Sequence, residues 1–328
     1  IFIDIARKME KYCPNAWMIH VTNPLNQLTR AVNRYSSIPC IGLCHNYAGT
    51  VSLLAEYFGV AETDINAVSV GVNHGSWLTR LWVAGRPVQS NELTLEKYLT
   101  YLENKKDPLI THTIDDTIKQ MQDTEWEHLG AYLSFELYEK LGVFPVGDAC
   151  HLTENLTWYN SSLELLQKHK IRKKGVLPHR EQYRKGRKQD VIDTLEGKKA
   201  WPKAKKSREQ LSGVAEALLT GGTYRGVFTM PNEGQIINLP RGISVETQCV
   251  ASYGTVQPEF SGEVPVVLRG IIQSVVDEME LSVEAAQEGS RKKLIQALYV
   301  SPELQNKDCV AALADEIIEI NIEWLDLT

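Results

Sequence analysis

The 328 residues contain no uncharged apolar stretch long enough to cross a bilayer, which takes about 20 consecutive residues, and no leader with a basic start and a short apolar core. No membrane partner is therefore expected. Six cysteines, at 13, 40, 44, 150, 249 and 309, form no CxxC pair and no short secreted framework, so free thiols in a reducing cytoplasm are expected. Excess positive charge is lacking too. A formal net charge of -6 argues against a surface built as a whole to hold nucleic acid. No internal repeat is found, which excludes solenoids and propellers.

What is present is a chain 43% hydrophobic, enough for a sizeable core and for two domains or one domain with large additions. It opens at Ile1 on "IFIDIARKMEKYCPNA", an amphipathic helix running into Pro14, which reads as the interior of a longer protein. An apolar strand, "AWMIHVTNP", follows, then a helix over 25–35, a second strand in "IPCIGLC", and a helix near 48–58 ending at Gly59. Strand and helix alternating in this rhythm predict an α/β fold with a parallel sheet and crossover helices. Ligands in such sheets sit at the carboxyl ends of the strands, where Asn23 and Cys44 fall.

Farther on, "DINAVSVGVNHGSWLTRLWVAGRPV" alternates and is β-branched, predicting a hairpin with His74 near its turn. Residues 91–140 read as mainly helical, and "LGVFPVGDACHLTENLTWY" as a loop dense in reactive groups. The basic run over 168–208 lacks interleaved aromatics and reads as a solvated helical insertion. Strands are expected around "GGTYRGVFTMPNEGQIINLPRGISVETQCV", and helices from about 265 onward.

Cys44 in "GLCHN" and His74 in "GVNHG" each sit among glycine and asparagine at the end of an apolar run. A thiolate and a neutral imidazole are good ligands for a divalent transition metal, and two protein ligands leave positions for a substrate. A buried cysteine beside a hydrogen-bonded loop histidine would look the same in sequence.

Six blocks, "VTNPLNQLTRAV", "IGLCHN", "VGVNHGSWL", "VFPVGDACHLTEN", "MPNEGQIINLPRGISVE" and "LSVEAAQEGSRKKLIQAL", resemble family 4 glycoside hydrolases in order and approximate spacing. They are spread over nearly the whole chain. The resemblance implies a Rossmann-like NAD-binding domain followed by an α+β domain like that of lactate and malate dehydrogenases. Here residues 1–45 would be the remainder of the first domain and 46–328 the substrate and metal domain. It also implies bound NAD, a divalent metal, usually Mn2+, and self-association as a dimer or tetramer. Such NAD-dependent enzymes stand outside the two-carboxylate scheme of most glycosidases.

The implied reaction on a small carbohydrate oxidises the sugar at C3, which acidifies the proton at C2. A metal on the C2 and C3 oxygens stabilises the charge left when a base takes that proton. Elimination expels the C1 oxygen, water adds, and the hydride returns. The family's metal ligands match Cys44 and His74. Asn23 matches a residue between nicotinamide and sugar, serving both cofactor and substrate, and Asn73 fits a contact to sugar hydroxyls. The family's base, a tyrosine in a "YL" pair, matches Tyr132 in "GAYLSFELY", with Asp148 as second choice. His45 is placed to act as acid toward the leaving oxygen or to contact substrate. His151, in a family pattern of His followed three residues later by Glu, would contact substrate, with Glu154 orienting a neighbour.

"CHNY" departs from the motifs of the 6-phospho-sugar members and favours a non-phosphorylated α-glucoside, α-galactoside or hexuronide. The glycine-rich pyrophosphate turn and the acidic ribose contact would lie before Ile1. Three alternatives stay open: a 6-phospho-glycosidase of the same family, a metal-independent 2-hydroxy-acid dehydrogenase, and a non-catalytic relative.

Overall fold

The structure is a computed structural model and describes residues 1–105, 131–162, 164–165, 177–203 and 209–324. Helix α1 (Phe2–Tyr12) leads to strand β1 (Met18–His20), helix α2 (Leu25–Tyr35), strand β2 (Cys40–Leu43) and helix α3 (Asn46–Phe58). Strands β1 and β2 pair in parallel, with His20 opposite Gly42, as the crossover helix requires. The predicted first strand is shorter than its apolar run. It stops at His20, and Asn23 instead accepts at Oδ1 from the Leu25 backbone N–H at the start of α2 (3.3 Å).

Gly42 lets this layer close. A Cβ there would stand 2.7 Å from Leu25 Cγ and 2.8 Å from Thr29 Oγ1, so only glycine allows β2 to lie this near α2.

Next come strands β3 (Ile65–Val72), β4 (Gly75–Val83) and β5 (Arg86–Pro87), then helices α4 (Leu95–Asn104) and α5 (Ala131–Leu141). The predicted hairpin is β3 paired with β4, and Val72 opposite Gly75 leaves Asn73 and His74 as its turn. Of the helical reading over 91–140, residues 106–130 lie outside the described residues. Strand β6 (Phe144–Pro145) adds to β4 and is followed by helices α6 (Ala149–Glu154) and α7 (Thr157–Asn160). The expected loop at 149–154 is thus a short helix. Asp148 caps it, accepting at Oδ1 from the His151 N–H (3.0 Å).

Helix α8 (Leu177–Leu195) carries part of the basic run, and its described side chains from 184 to 190 are exposed. Helix α9 (Leu211–Thr220) precedes strands β7 (Tyr224–Pro231), β8 (Ser244–Ser252) and β9 (Thr255–Pro258). Helices α10 (Val266–Glu288), α11 (Arg291–Val300) and α12 (Val310–Ile320) follow.

Two sheets result, one ordered β1-β2-β7-β8-β9 and the other β3-β4-β5 with β6 on β4. The first joins the parallel pair to antiparallel strands nearly 200 residues later, so residues on either side of position 45 share one sheet. Apolar residues of β3, β4 and β8 (Val70, Val72, Trp77, Val245) pack with Leu268, Ile272, Val276 and Met279 of α10 in the largest core. A second core lies among α3, α4, α5 and the hairpin. Cys44, just after β2, and His74, in the β3–β4 turn, approach one another.

Candidate active site

Cys44 follows β2 directly and is half-buried. Its thiol lies near enough to the imidazole of His74, in the β3–β4 turn, to raise that imidazole's pKa. His74 has φ 63°, a left-handed conformation uncommon for a residue with a Cβ and kept only where its surroundings hold it.

Those surroundings are specific. Asn26 on α2 donates from Nδ2 to the Asn73 carbonyl (3.0 Å) and accepts at Oδ1 from the Asn73 N–H (3.0 Å), gripping the turn's backbone. Asn155 donates from Nδ2 to the His74 carbonyl (3.0 Å). Glu246 on β8, 2% exposed, accepts from Asn73 Nδ2 (2.7 Å), Ser76 Oγ (2.9 Å) and Thr229 Oγ1 (3.3 Å). A buried carboxylate is tolerated only when its oxygens are satisfied, and these three donors satisfy them.

His74 Nδ1 lies 2.9 Å from Glu154 Oε2, and His151 Nδ1 lies 2.9 Å from Glu154 Oε1. The two rings stack with centroids 3.9 Å apart. One carboxylate thus spans two imidazoles, one oxygen to each. Burial works against charge on His74, but the Cys44 thiol and Glu154 outweigh it and push its pKa up to about 10. Burial likewise opposes ionisation of Glu154, yet hydrogen bonds from His151 and His74 hold it down to about 2. An apolar recess adjoins His74, walled by Trp77, Leu152, Leu156, Ile272 and Val275.

The donor chemistry fits a divalent transition metal. Ligand atoms of His74, His151 and Glu154 lie within 4.8 Å of one another, and the Cys44 thiol lies near His74.

The expected site residues divide by position. Cys44, His74, His151 and Glu154 come together. Asn23 is exposed beyond β1, and His45 is exposed on the solvent side of Cys44, its Nδ1 3.3 Å from Glu209 Oε1. Asn73 is buried and its amide is engaged by Glu246, so it holds the turn.

Tyr132 stands between the two largest cores with its hydroxyl buried and unpartnered. Burial, then the Glu136 carboxylate, raises its pKa, the reverse of what a base near neutral pH requires. Asp148 sits at the head of α6, three residues before His151. Sequence reasoning missed Glu246 and Asn26. A lone carboxylate inside the apolar run "GISVETQCV" was the one available signal for the former.

Residues 69–304 match the model of the family 4 glycosyl hydrolase C-terminal domain, and residues 1–60 that of family 4 glycosyl hydrolases. The chain is 28% identical to an alpha-galactosidase of Bacillus subtilis over 337 aligned positions, covering 99% of this chain and 70% of that protein. It is 27% identical to an alpha-galacturonidase of the same organism, covering 93% of this chain and 67% of that one. Among solved structures it is similar to a 6-phospho-alpha-glucosidase from gut microorganisms in complex with NAD and Mn2+. That match has a TM-score of 0.75 at 19% identity, over 100% of this chain and 72% of the other.

Proposed function

The chain belongs to the family 4 glycosyl hydrolases, and from that premise we propose that it cleaves the glycosidic bond of a non-phosphorylated α-glycoside with NAD and a divalent metal. The observation that carries the reading is the Cys44–His74 contact at the carboxyl end of a parallel strand, held by a turn fastened on three sides. Two curated relatives, an alpha-galactosidase and an alpha-galacturonidase, support putting galactosides and galacturonides first among candidate substrates. A neighbour in structure whose complex contains NAD and Mn2+ supports the choice of cofactors. A cytoplasmic location is proposed with it, since Cys13, Cys40, Cys44, Cys249 and Cys309 are free thiols.

When bound, the nicotinamide supplies reversible hydride acceptance at C3 of the sugar, and the divalent cation supplies polarisation that acidifies C2. Cys44 and His74 would hold the cation, and two protein ligands would leave positions for the substrate. Asn23, beyond the first parallel strand, lies where sugar and nicotinamide would meet. His45, beside Cys44, donates a proton to the departing C1 oxygen.

For the C2 proton two groups compete. Tyr132, the match to the family's base, is buried with a raised pKa, and this favours Asp148 for the role. Residues 1–45 then serve the cofactor and lend Asn23, Cys44 and His45 to the substrate and metal, which residues from 46 onward otherwise hold, across a shared sheet.

Assay of protein expressed from the whole reading frame tests this, using 4-nitrophenyl α-galactoside, α-galacturonide and α-glucoside and their 6-phosphates. NAD, Mn2+ and thiol reductant are each added and omitted. The expected result is hydrolysis that needs all three and is lost in Cys44→Ala. Hydrolysis indifferent to NAD and metal would overturn it.

A further inference from the structure

Building on the reading of Cys44 and His74 as metal ligands, we propose that His151 is a third ligand, through Nε2, and that Glu154 presents both imidazoles to the metal. A neutral imidazole has one N–H and one lone pair, and whichever nitrogen donates to a carboxylate leaves the other to coordinate. Glu154 accepts at Oε2 from His74 Nδ1 (2.9 Å) and at Oε1 from His151 Nδ1 (2.9 Å). Metal binding displaces the proton from Nε2, and the bond to Glu154 then leaves each ring with Nδ1 protonated and the Nε2 lone pair directed away from the carboxylate. Ligating histidines are commonly held in this way by a carboxylate behind them. Sharing a single carboxylate between two rings requires the rings to lie side by side, and their centroids are 3.9 Å apart with planes inclined at 35°.

The donors come from three separate elements, which suits a site that closes around an ion. Cys44 directly follows β2, His74 lies in the β3–β4 turn and His151 is on α6. His151 and Glu154 are three residues apart on α6 and so share a face. Asn155 Nδ2 to the His74 carbonyl (3.0 Å) fastens the end of that helix to the turn, and the Asp148 cap on the His151 N–H (3.0 Å) closes its first turn. Side chains of His74 and His151 are 18% and 19% exposed, shielded from bulk water yet open enough for ligand exchange. Two nitrogens and one sulfur leave at least one coordination position for substrate oxygen. Glu154 is itself close enough to count as a fourth donor, but with one oxygen engaged by each imidazole it is a positioning residue and not a ligand.

Cobalt(II) is the probe, because it takes the same donors and reports on them spectroscopically. Proton NMR of the Co2+-loaded protein is expected to show two strongly shifted, solvent-exchangeable imidazole N–H resonances, from His74 and His151; a single one would overturn the proposal. This readout needs no variant. In calorimetric titrations with Co2+ and Mn2+, His151→Ala is expected to lose at least about tenfold in affinity, and Glu154→Gln about 10–100-fold. Glu154→Gln should keep thiolate-to-Co2+ absorption, with circular dichroism of each variant matching the parent. If His151→Ala binds both ions like the parent while Cys44→Ala and His74→Ala do not, the third ligand falls and the two-ligand site stands. If all three variants bind like the parent, the metal reading falls as well.

Discussion

Cys44 and Cys249 carry the same thiol in opposite settings. Cys249 is fully buried in β8, and burial pushes its pKa up to about 12, as it does for Cys40 in β2. Cys44 is partly exposed beside His74. At pH 8 iodoacetamide is expected to label Cys44 and spare Cys40 and Cys249, and Mn2+ to slow the labelling of Cys44. Peptide mass mapping reads both, and equal labelling of the three would count against the site.

The two base candidates also separate at this scale. Asp148→Asn keeps a side chain able to cap α6 while removing the carboxylate, so a fall in kcat of about 10²–10⁴-fold is expected without loss of stability. Tyr132→Phe should leave kcat nearly unchanged, and the reverse pattern in steady-state kinetics would return the role to the phenol. Cys44 and His74 each stand out in the sequence because their motifs are local and chemically conspicuous, and the family resemblance joins them as a pair. Asn26 and Glu246 were not, because their partner Asn73 lies 47 and 173 positions away and only the folded sheets bring them together.

Among the elements, the β3–β4 turn carries the strictest demands. Gly71 has φ 133°, and a Cβ there would stand 2.2 Å from the Gly75 carbonyl oxygen. Gly71→Ala is expected to cost about 3 kcal/mol or more in urea unfolding and to displace His74. Asn26→Ala strands the buried N–H and carbonyl of Asn73 and should cost about 1–3 kcal/mol while weakening Mn2+ binding. Stability unchanged in that variant would mean the turn is held by something else.

The hairpin was legible from its alternation, whereas α6 was taken for a loop. Six residues hold too few apolar positions for a helical period to register, and the capping Asp148 was the signal present. Asn23 fell at a strand end as expected, but the strand stops three residues sooner, where the chain turns toward α2.

For the molecule as a whole, ion pairs tie α2, beside the parallel strands, to the long core helix α10. Arg30 donates to both oxygens of Glu280 (2.5 and 2.9 Å), and Arg34 bridges Glu280 (3.1 Å) and Glu284 (2.8 Å). These groups are 15–30% exposed, where charge-assisted bonds are worth more than at an open surface. Glu280→Gln is expected to lower the urea midpoint by the equivalent of about 1–3 kcal/mol. An unchanged midpoint would show the network to be dispensable.

Alternation of strand and helix made the parallel pair legible, but nothing local in the sequence announced that β7, β8 and β9 complete the same sheet. That closure brings Glu246 under the turn and makes the site a property of the entire fold.

The redox route through C2 is what distinguishes this account from direct hydrolysis, and its most direct test is turnover in D2O followed by proton NMR of the released sugar. Removal of the C2 proton before water adds predicts deuterium at C2 of the product, in an amount tracking turnover and absent without NAD. Product carrying protium at C2 after full turnover in D2O would contradict the account.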